Sequence, residues 1–436
     1  MEQSTVKGLF EFIEASPTAY HAVERMKKEL EGQGYQELSE RGEWKLKDGG
    51  RYYVVRNGSS LTAFRIPHGT VKGFQIAASH SDSPGLKLKE NPEMEADGGL
   101  VKLNVEKYGG MLCSTWFDRP LGIAGRLLIH QGGRLVSKLI DLGGDVCLIP
   151  SLAIHMNRNA NEGIKYNVQK DMLPLYRSQG GRKGLMDQAA AAAGTERERI
   201  AGYDLFVYNR MKGSVWGGSG EFISIGRLDD LQCAYASLRA FLDAKEGGSI
   251  PVLCVFDNEE VGSMTRQGAD STFLSDVLVR VSESLGKTAA GYRQMLAMSF
   301  MVSADNAHGV HPNYGDRSCP TNKPVLNGGV VIKFSANQRY STDGFSAAVF
   351  RQVCGQAGVP CQVFANRSDM PGGSTLGSLS GTQVSIPTAD IGLAQLAMHS
   401  AYETGGSRDT AYLIKALREF YQCSVSEEAD GSYILI

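Results

Sequence analysis

The sequence has almost no excess of charge of either sign. Its 436 residues contain 45 Lys and Arg against 47 Asp and Glu, a formal net charge of −2. Nucleic-acid binding depends on basic side chains that neutralise phosphates. The near-neutral balance therefore gives no reason to expect a nucleic-acid partner.

Long apolar runs are also missing. None approaches the ~20 residues that a membrane-spanning helix needs. At the N-terminus, Glu2, Glu11 and Glu14 lie where a signal peptide would have basic and then uninterrupted apolar residues. We therefore expect no membrane partner and predict a cytoplasmic location.

The eight cysteines form no C-x-x-C pair and no regular spacing. Several lie inside apolar strand-like segments, as Cys254 does in VLCVF. A reduced thiol in such a place behaves as a small apolar side chain. We predict buried free thiols rather than disulfides or a zinc ribbon.

Four common catalytic motifs are absent. The chain has no phosphate-binding G-x-x-x-x-G-K-[ST], no dinucleotide-binding G-x-G-x-x-G and no H-E-x-x-H helix. The segment Gly217–Glu221 fails the G-x-S-x-G pattern of serine hydrolases. Chemistry must therefore come from other residues.

The chain length suggests two or three domains, at roughly 150 residues each. Its 42% hydrophobic and 21% charged residues are typical of a globular protein. After about residue 226, amphipathic helices alternate with apolar strands, which predicts an α/β fold. The strand predicted at 74–79 fits the same sheet.

Residues 86–216 have a different pattern, with many short strand candidates separated by paired glycines. We predict a mixed-sheet α/β domain formed by residues 1–85 and 217–436, with a β-rich domain of residues 86–216 inserted into it. Within the insertion, 182–199 reads as an exposed helix or mobile loop.

Acidic and histidine residues follow the predicted strands at the end where open α/β sheets bind ligands. These clusters contain His80 and Asp82; Asp257, Glu259 and Glu260; Asp305 and His308; His399; and, at a helix start, Asp229. Singly, each has an ordinary alternative: Asp229 as a helix cap, the histidines as turn residues, and the two glutamates as solvated acids. Together, so many like charges would repel one another.

Divalent metal ions would remove that repulsion. Two imidazoles with several carboxylates suit zinc, manganese or cobalt. Two ions about 3.5–4 Å apart polarise a carbonyl and activate water. Because neighbouring side chains point in different directions, Glu259 and Glu260 can divide the roles of general base and metal ligand.

Seven segments together resemble the aspartyl aminopeptidase family of cocatalytic zinc metallopeptidases, in particular its bacterial members. They are FIEASPTAYHAVERMKKEL at 12–30, HSDSP at 80–84, LAIHMNR at 152–158, DNEEVGS at 257–263, SADNAHGVHPNY at 303–314, VIKFSANQRY at 331–340 and AMHS at 397–400. The resemblance covers nearly the whole chain.

This resemblance implies two Zn²⁺ per subunit, which Co²⁺ or Mn²⁺ can replace. One zinc would be held by His80 and Asp305, and the other by Glu260 and His399, with Asp229 bridging. Glu259 would be the general base. Asp82 would fix the tautomer of His80.

Further roles follow from the same resemblance. His155 of the inserted domain would reach the active site of a neighbouring subunit and stabilise the oxyanion, in a tetrahedral homododecamer assembled through that domain. Lys333 would attract an acidic side chain of the substrate, although a lysine in an apolar strand can also be an edge or snorkelling residue. His308 and Tyr340 complete the expected substrate-binding residues.

We predict an aminopeptidase that removes Asp or Glu from peptides with a free N-terminus. The enzyme alternative is another dinuclear metal amidohydrolase, such as a carboxypeptidase or deacylase, because these share a paired-glutamate site. The non-enzyme alternative is an assembly or chaperone-like shell. A shell would not need this complete set of acids and histidines.

Overall fold

A nine-stranded mixed sheet forms the centre of the protein. The computed structural model describes residues 2–181, 183–429 and 432–435. The helices are α1 (Glu2–Glu14), α2 (Ala19–Gly32), α3 (Val168–Asp171), α4 (Leu185–Ala193), α5 (Leu228–Asp243), α6 (Phe273–Ser284), α7 (Ala289–Ala297), α8 (Gly344–Ala357), α9 (Leu376–Val384) and α10 (Asp409–Gln422).

The strands are numbered in chain order. They are β1 (Gln36–Glu37), β2 (Arg51–Arg56), β3 (Ser60–Arg65), β4 (Phe74–His80), β5 (Gly85–Ala96), β6 (Leu100–Tyr108), β7 (Leu121–Gln131), β8 (Arg134–Asp141), β9 (Leu175–Ser178), β10 (Ile200–Asn209), β11 (Ser214–Trp216), β12 (Phe222–Ile225), β13 (Ile250–Phe256), β14 (Phe300–Ala304), β15 (Ala307–His308), β16 (Val330–Phe334), β17 (Cys361–Ala365), β18 (Thr388–Gly392), β19 (Ala394–Leu396), β20 (Glu403–Gly406), β21 (Val425–Ala429) and β22 (Ser432–Leu435).

The order of the central sheet is β1-β2-β3-β13-β4-β14-β18-β16-β17. Its four middle strands, β13, β4, β14 and β18, run parallel, and strands on either side run antiparallel to them. The carboxyl ends of the middle strands therefore meet at one edge. This confirms the predicted mixed α/β fold.

Both faces of the central sheet are buried. Successive side chains of β4 and β13 point to opposite faces: Ala77 and Leu253 pack with α1, α2, α5, α8 and α10, whereas Ile76 and Val252 pack with α6, α7 and α9. A strand buried on both faces is apolar throughout rather than alternating. For this reason the apolar residues of these strands form a continuous run in the sequence.

The region after β4 builds a separate sheet of six strands, in the order β8-β7-β10-β5-β6-β9. All its neighbouring strands are antiparallel, and they use only residues 85–209. The sheet packs around its own apolar cluster, which includes Leu103 and Leu127. We call residues 86–216 the insert.

The expectation of an exposed helix or mobile loop at 182–199 is only partly right, because residues 196–199 are exposed but one face of the helix is buried. Helix α4 forms there, and Leu185, Ala189 and Ala193 are at most 2% exposed in the apolar cluster of the insert. Their spacing of four residues places them on one helix face. Arg182 lies outside the described residues.

A third sheet, in the order β11-β12-β20-β19-β15, adjoins the site described below, and β21 pairs with β22. All eight cysteines lie in the described part of the chain and are free thiols, as predicted. Five are buried, but Cys113 and Cys319 are half-buried and Cys361 is exposed, so the predicted burial is wrong for these three. Within the described ranges, no helix combines the length and the apolar composition that crossing a bilayer would require.

Candidate metal centre

The ends of the parallel strands bring the predicted metal-binding residues together. His80 is the last residue of β4, and Asp305 follows the neighbouring β14. Glu259 and Glu260 lie in a single helical turn just after β13. All of this follows from strand order, because adjacent parallel strands end at the same edge.

Asp229 lies between the two imidazoles. Its Oδ1 is 3.7 Å from Nε2 of His80, and its Oδ2 is 3.4 Å from Nε2 of His399. Asp229 and Asp230 have non-helical backbone angles at the start of α5, so the Asp229 carboxylate points at the imidazoles instead of capping the helix. One oxygen of the Asp229 carboxylate therefore faces each histidine.

Each imidazole also has a second carboxylate. Nε2 of His80 is 4.0 Å from Oδ1 of Asp305, and Nε2 of His399 is 3.3 Å from Oε2 of Glu260. Asp229 thus lies between two imidazole–carboxylate pairs. We call these five residues together with Glu259 the metal cluster.

Burial makes this cluster unfavourable without a cation. Asp229 and Asp305 are 3% and 7% exposed. Oδ1 of Asp229 and Oε1 of Glu260 have no hydrogen-bond partner among the described residues. Burial raises the pKa of Asp305 to about 6 and that of Glu259 to about 8. Unpaired buried carboxylates beside two histidines fit a group of divalent metal ions.

Asp82 contacts three residues of the metal cluster through its carboxylate and its backbone carbonyl. Its carboxylate accepts hydrogen bonds from the backbone N–H of Glu259 (3.1 Å) and of Glu260 (3.2 Å) and from the hydroxyl of Tyr108 (2.7 Å). Nδ1 of His80 lies 3.0 Å from the backbone carbonyl of Asp82 and 3.4 Å from its Oδ1. These contacts leave Nε2 of His80 facing the cluster.

The insert contributes to one wall of the centre. Nδ1 of His399 is 3.3 Å from the carbonyl oxygen of Gly110. A Cβ atom at Gly109 would lie 3.1 Å from Cβ of Glu260, and one at Gly110 would lie 3.2 Å from Nδ1 of His399. Only glycine fits without displacing these two side chains.

Sequence reasoning missed Glu403, which is 1% exposed. Its Oε2 accepts a hydrogen bond from the backbone N–H of Asp229 (3.1 Å), and its Oε1 accepts one from that of His399 (2.6 Å). It therefore fixes two cluster residues that are far apart in the chain. Glu403 begins β20 and follows no strand end, so no local pattern distinguishes it.

Asp230, the neighbour of Asp229, is fully buried. Its Oδ2 accepts a hydrogen bond from the backbone N–H of His80 (3.2 Å), and burial raises its pKa well above the ordinary value. The side chain thus supports the strand end that carries His80.

Of the three predicted substrate-binding residues, Lys333 lies directly against Asp305. Lys333 is 2% exposed, and its Nζ donates to the carbonyl oxygens of Asp305 (2.7 Å) and Asn306 (3.4 Å) and lies 3.4 Å from Oδ2 of Asp305. The ring of Tyr340 is 5.3 Å from Nζ. His308 is exposed and contacts Phe364, which in turn contacts Tyr340.

His155 is not brought to the cluster within one chain. It lies on an exposed turn of the insert with Leu152, Ile154 and Met156, which are 60%, 44% and 75% exposed. Any contact of His155 with a metal centre must therefore involve a second subunit.

The fold and the cluster together define the class: a hydrolase with a buried metal centre at the carboxyl edge of an α/β sheet. The family model described as aminopeptidase I zinc metalloprotease (M18) matches residues 12–421. The chain belongs to this family of zinc metallo-aminopeptidases. The resemblance identified from the sequence motifs is thereby confirmed.

Individual relatives agree with the family match. A probable M18 family aminopeptidase 2 from Clostridium acetobutylicum is 45% identical over 428 residues, which is 96% of this chain and 99% of that protein. A cryo-EM structure of the Ape4 and Nbr1 complex is similar with a TM-score of 0.93 and 35% identity, covering 97% of this chain and 86% of that one. The mApe1 dodecamer of S. cerevisiae gives 0.85 and 29%, with 96% of each chain covered.

Proposed function

We propose that this zinc aminopeptidase uses two metal ions per subunit to remove an N-terminal Asp or Glu from peptides. His80 and Asp305 would hold one ion, Glu260 and His399 the other, and Asp229 would bridge them. The single observation that carries the proposal is the position of Asp229, with one carboxylate oxygen toward each histidine at 3.7 Å and 3.4 Å. Bound zinc would polarise the scissile carbonyl and activate the attacking water.

Glu259 is the proposed general base. It takes a proton from the attacking water and later delivers it to the leaving amine. Burial raises its pKa to about 8, and metal ions bound beside it would lower the pKa again, toward the ionised form that accepts a proton from water. The hydrogen bond from its own backbone N–H to Asp82 supports this position, and Asp82 also orients His80.

The acidic specificity rests on Lys333, which we propose attracts the substrate carboxylate in a pocket beside Tyr340 and His308. Once Asp305 binds a metal ion, less of the negative charge of Asp305 remains to neutralise the ammonium group of Lys333. In this structure, by contrast, Nζ of Lys333 contacts the carbonyl oxygens of Asp305 and Asn306 and Oδ2 of Asp305. Specificity is therefore tested separately from the reaction.

We further propose cytoplasmic assembly into a homododecamer, as in the yeast mApe1 dodecamer, through the insert as a dimerisation domain. The exposed turn around His155 supports this. In the assembly, His155 would complete the oxyanion site of a neighbouring subunit.

The test of the mechanism is Glu259→Gln. The metal ligands remain, so we expect two zinc ions per chain by elemental analysis, and kcat should fall by about 10²–10⁴, the usual contribution of a general base. Glu43→Gln, an exposed glutamate outside the site, is the matched control. Normal turnover of Glu259→Gln would refute its role.

The test of the substrate class is a matched peptide panel with N-terminal Asp, Glu, Leu and N-acetyl-Asp, measured after chelation and return of zinc, cobalt or manganese. We expect the highest kcat/KM for free Asp and Glu. Preference for Leu would refute the acidic specificity and keep the aminopeptidase. Equal rates on the acetylated peptide would favour a deacylase, the enzyme alternative that shares this site.

A further inference from the structure

Two of the eight cysteines lie next to each other at one edge of the central sheet. Cys354 is in the last turn of α8, and Cys361 is the first residue of β17, the edge strand of that sheet. Their side chains form a hydrogen bond with each other. The two thiols therefore form a pair, although six residues separate them in the sequence.

A tight turn between α8 and β17 fixes this pair. Gly358, the residue after α8, has a left-handed φ of 62°, and the backbone N–H of Val359 donates to the carbonyl oxygen of Cys354 at 2.9 Å. The carbonyl oxygen of Pro360 accepts a hydrogen bond from the backbone N–H of Val330 (3.0 Å) on the neighbouring strand β16. Because the sulfur atoms are already in contact, a disulfide between them requires little movement of the backbone.

The two thiols differ in their access to solvent. Cys361 is exposed, whereas Cys354 is 1% exposed and packs in the apolar cluster on one face of the central sheet, together with Phe350 and Val353. A dissolved oxidant can reach Cys361 directly, while Cys354 is covered. The first reaction with an oxidant must therefore take place at Cys361.

Cys361 is also the more reactive of the two thiols. The hydrogen bond with Cys354 and the positive charge of Arg351 lower the pKa of Cys361 to about 6. The same hydrogen bond and burial raise the pKa of Cys354. Because the thiolate is the nucleophile, Cys361 is poised to react at neutral pH. An exposed thiol that ionises easily, next to a second thiol, is the arrangement found in redox-responsive proteins.

We propose that Cys361 and Cys354 form a reversible oxidation site for hydrogen peroxide. The sulfur of Cys361 attacks one peroxide oxygen, the O–O bond breaks, and Cys361 becomes a sulfenic acid while one water leaves. The sulfur of Cys354 then attacks the sulfur of Cys361. The proton of Cys354 passes to the departing hydroxyl group, which leaves as a second water. Two thiols and one peroxide thus give one disulfide and two waters.

Cys354 protects Cys361 in this scheme. A sulfenic acid without a neighbouring thiol reacts with more peroxide to give sulfinic and sulfonic acids, which thiol reagents do not reduce. A disulfide, by contrast, is returned to two thiols by exchange with a small thiol. The buried partner therefore makes the oxidation of the exposed partner reversible.

The thiol pair is separate from the metal centre. The metal cluster contains no cysteine, and Cys361 lies three residues, or about 10 Å, along β17 from Phe364, which contacts Tyr340. The proposal therefore depends neither on the number of zinc ions nor on the acidic specificity.

The experiment treats the zinc-loaded enzyme with hydrogen peroxide at neutral pH, digests it with trypsin and analyses the peptides by mass spectrometry. Cleavage after Arg351 and Arg367 leaves both cysteines in one peptide. We expect this peptide to lose two hydrogen atoms and to regain them fully with dithiothreitol. The control is Cys319→Ser, because the pKa of Cys319 is also lowered, to about 7. This variant should form the same disulfide.

The variant Cys354→Ala tests the second step. Its Cys361 sulfenic acid has no thiol partner, so we expect at least about tenfold more labelling of Cys361 by dimedone, a sulfenic acid reagent, than in the wild type. With excess peroxide, Cys361 should gain two or three oxygen atoms that dithiothreitol does not remove.

The variant Cys361→Ser tests the first step. It changes an exposed side chain, so it decides the matter if Cys354→Ala fails to fold. Cys354 should then stay reduced at peroxide concentrations that convert the wild-type pair. The proposal would be overturned by the absence of the disulfide in the wild type, by equal dimedone labelling of the wild type and Cys354→Ala, or by oxidation of Cys354 in Cys361→Ser.

Discussion

Glu403 connects two metal-cluster residues through one carboxylate. In Glu403→Gln only one side-chain oxygen remains as an acceptor, so the backbone N–H of either Asp229 or His399 loses its partner. We expect zinc affinity to fall by about 10–100-fold, the usual effect of changing such a supporting group. Zinc titration against a competing chelator measures this.

The control for Glu403→Gln is Glu90→Gln, which changes an exposed glutamate of β5. Unchanged zinc affinity in Glu403→Gln would show that the two backbone hydrogen bonds do not position the metal ligands.

His21 gives a prediction about pH. Burial lowers its pKa to about 4, and Nδ1 lies 2.9 Å from Oγ1 of Thr18. Because the pKa is 6.5 in the unfolded chain, the folded protein binds fewer protons, so stability is full above pH 6.5 and falls as pH drops toward 4. His21→Gln should reduce this loss.

Urea unfolding at several pH values between 6.5 and 4 measures the effect, with His130→Gln, an exposed histidine of β7, as control. If His21→Gln and the wild type lost stability in parallel, the buried imidazole would not be responsible.

The residues that sequence reasoning found and the one it missed differ in position. His80, Asp305, Glu259 and Glu260 follow apolar strands, so the rule that ligands bind at strand ends finds them. Glu403 begins a short strand of another sheet. Its role depends on two backbone N–H groups, and sequence patterns of side chains contain no information about those contacts.

Helix α8 has a specific N-terminal cap. The side chain of Asp343 accepts a hydrogen bond from the backbone N–H of Ser346 at 2.8 Å, and the Ser346 hydroxyl accepts one from the Asp343 backbone at 3.0 Å. Asp343→Ala should lower the free energy of unfolding by about 1 kcal/mol. Chemical denaturation measures this, and Asp316→Ala, at an exposed position, is the control.

An unchanged unfolding free energy in Asp343→Ala would contradict the cap. Activity adds a second measurement, since α8 directly follows the loop that contains Tyr340. A loss of stability without a change in KM would separate the cap from substrate binding.

At the scale of elements, helix and strand types were predictable and their partners were not. The apolar segment before His399 reads as one strand, but β18 pairs in the central sheet and β19 in the five-stranded sheet. Similarly, the alanines of 189–193 read as exposed. Which surface a short apolar side chain packs against is decided by contacts distant in sequence.

For the whole molecule, metal removal should reduce stability. Without cations, Asp229 remains buried close to Glu260 on one side and to Asp305 on the other, and the carboxylates repel one another. We expect chelation to lower Tm and added zinc to restore it as the zinc concentration rises. At a hundredfold excess of zinc over Kd, the free energy of unfolding should increase by about 2.7 kcal/mol. Differential scanning calorimetry measures this.

Asp305→Asn is the comparison for metal removal, because it removes one negative charge and one proposed ligand. Its Tm should depend less on zinc than that of the wild type. Equal Tm values of the wild type with and without zinc would contradict a cluster that needs cations.

The proposed assembly predicts a joint loss of size and activity. Met156→Glu places a charge in the exposed apolar turn beside His155 and should produce smaller species in sedimentation. Activity should fall with it, and His155→Ala should lose activity while keeping its size. The control is Leu135→Glu, which places the same charge at an exposed apolar residue elsewhere in the insert. A fully active monomer would refute both the assembly and the role of His155.

The contact of Gly109 and Gly110 with Glu260 and His399 limits how this architecture can be rearranged. An insertion that only tethered subunits could be deleted or exchanged between relatives as an independent module. Here the turn that follows β6 forms part of the wall of the metal centre, so a transplanted insert must bring a turn of matching shape. Chimeric enzymes should therefore tolerate exchange of the edge strand β8 far better than exchange of the whole insert. Over evolutionary time these two glycines are expected to change together with their metal-binding neighbours.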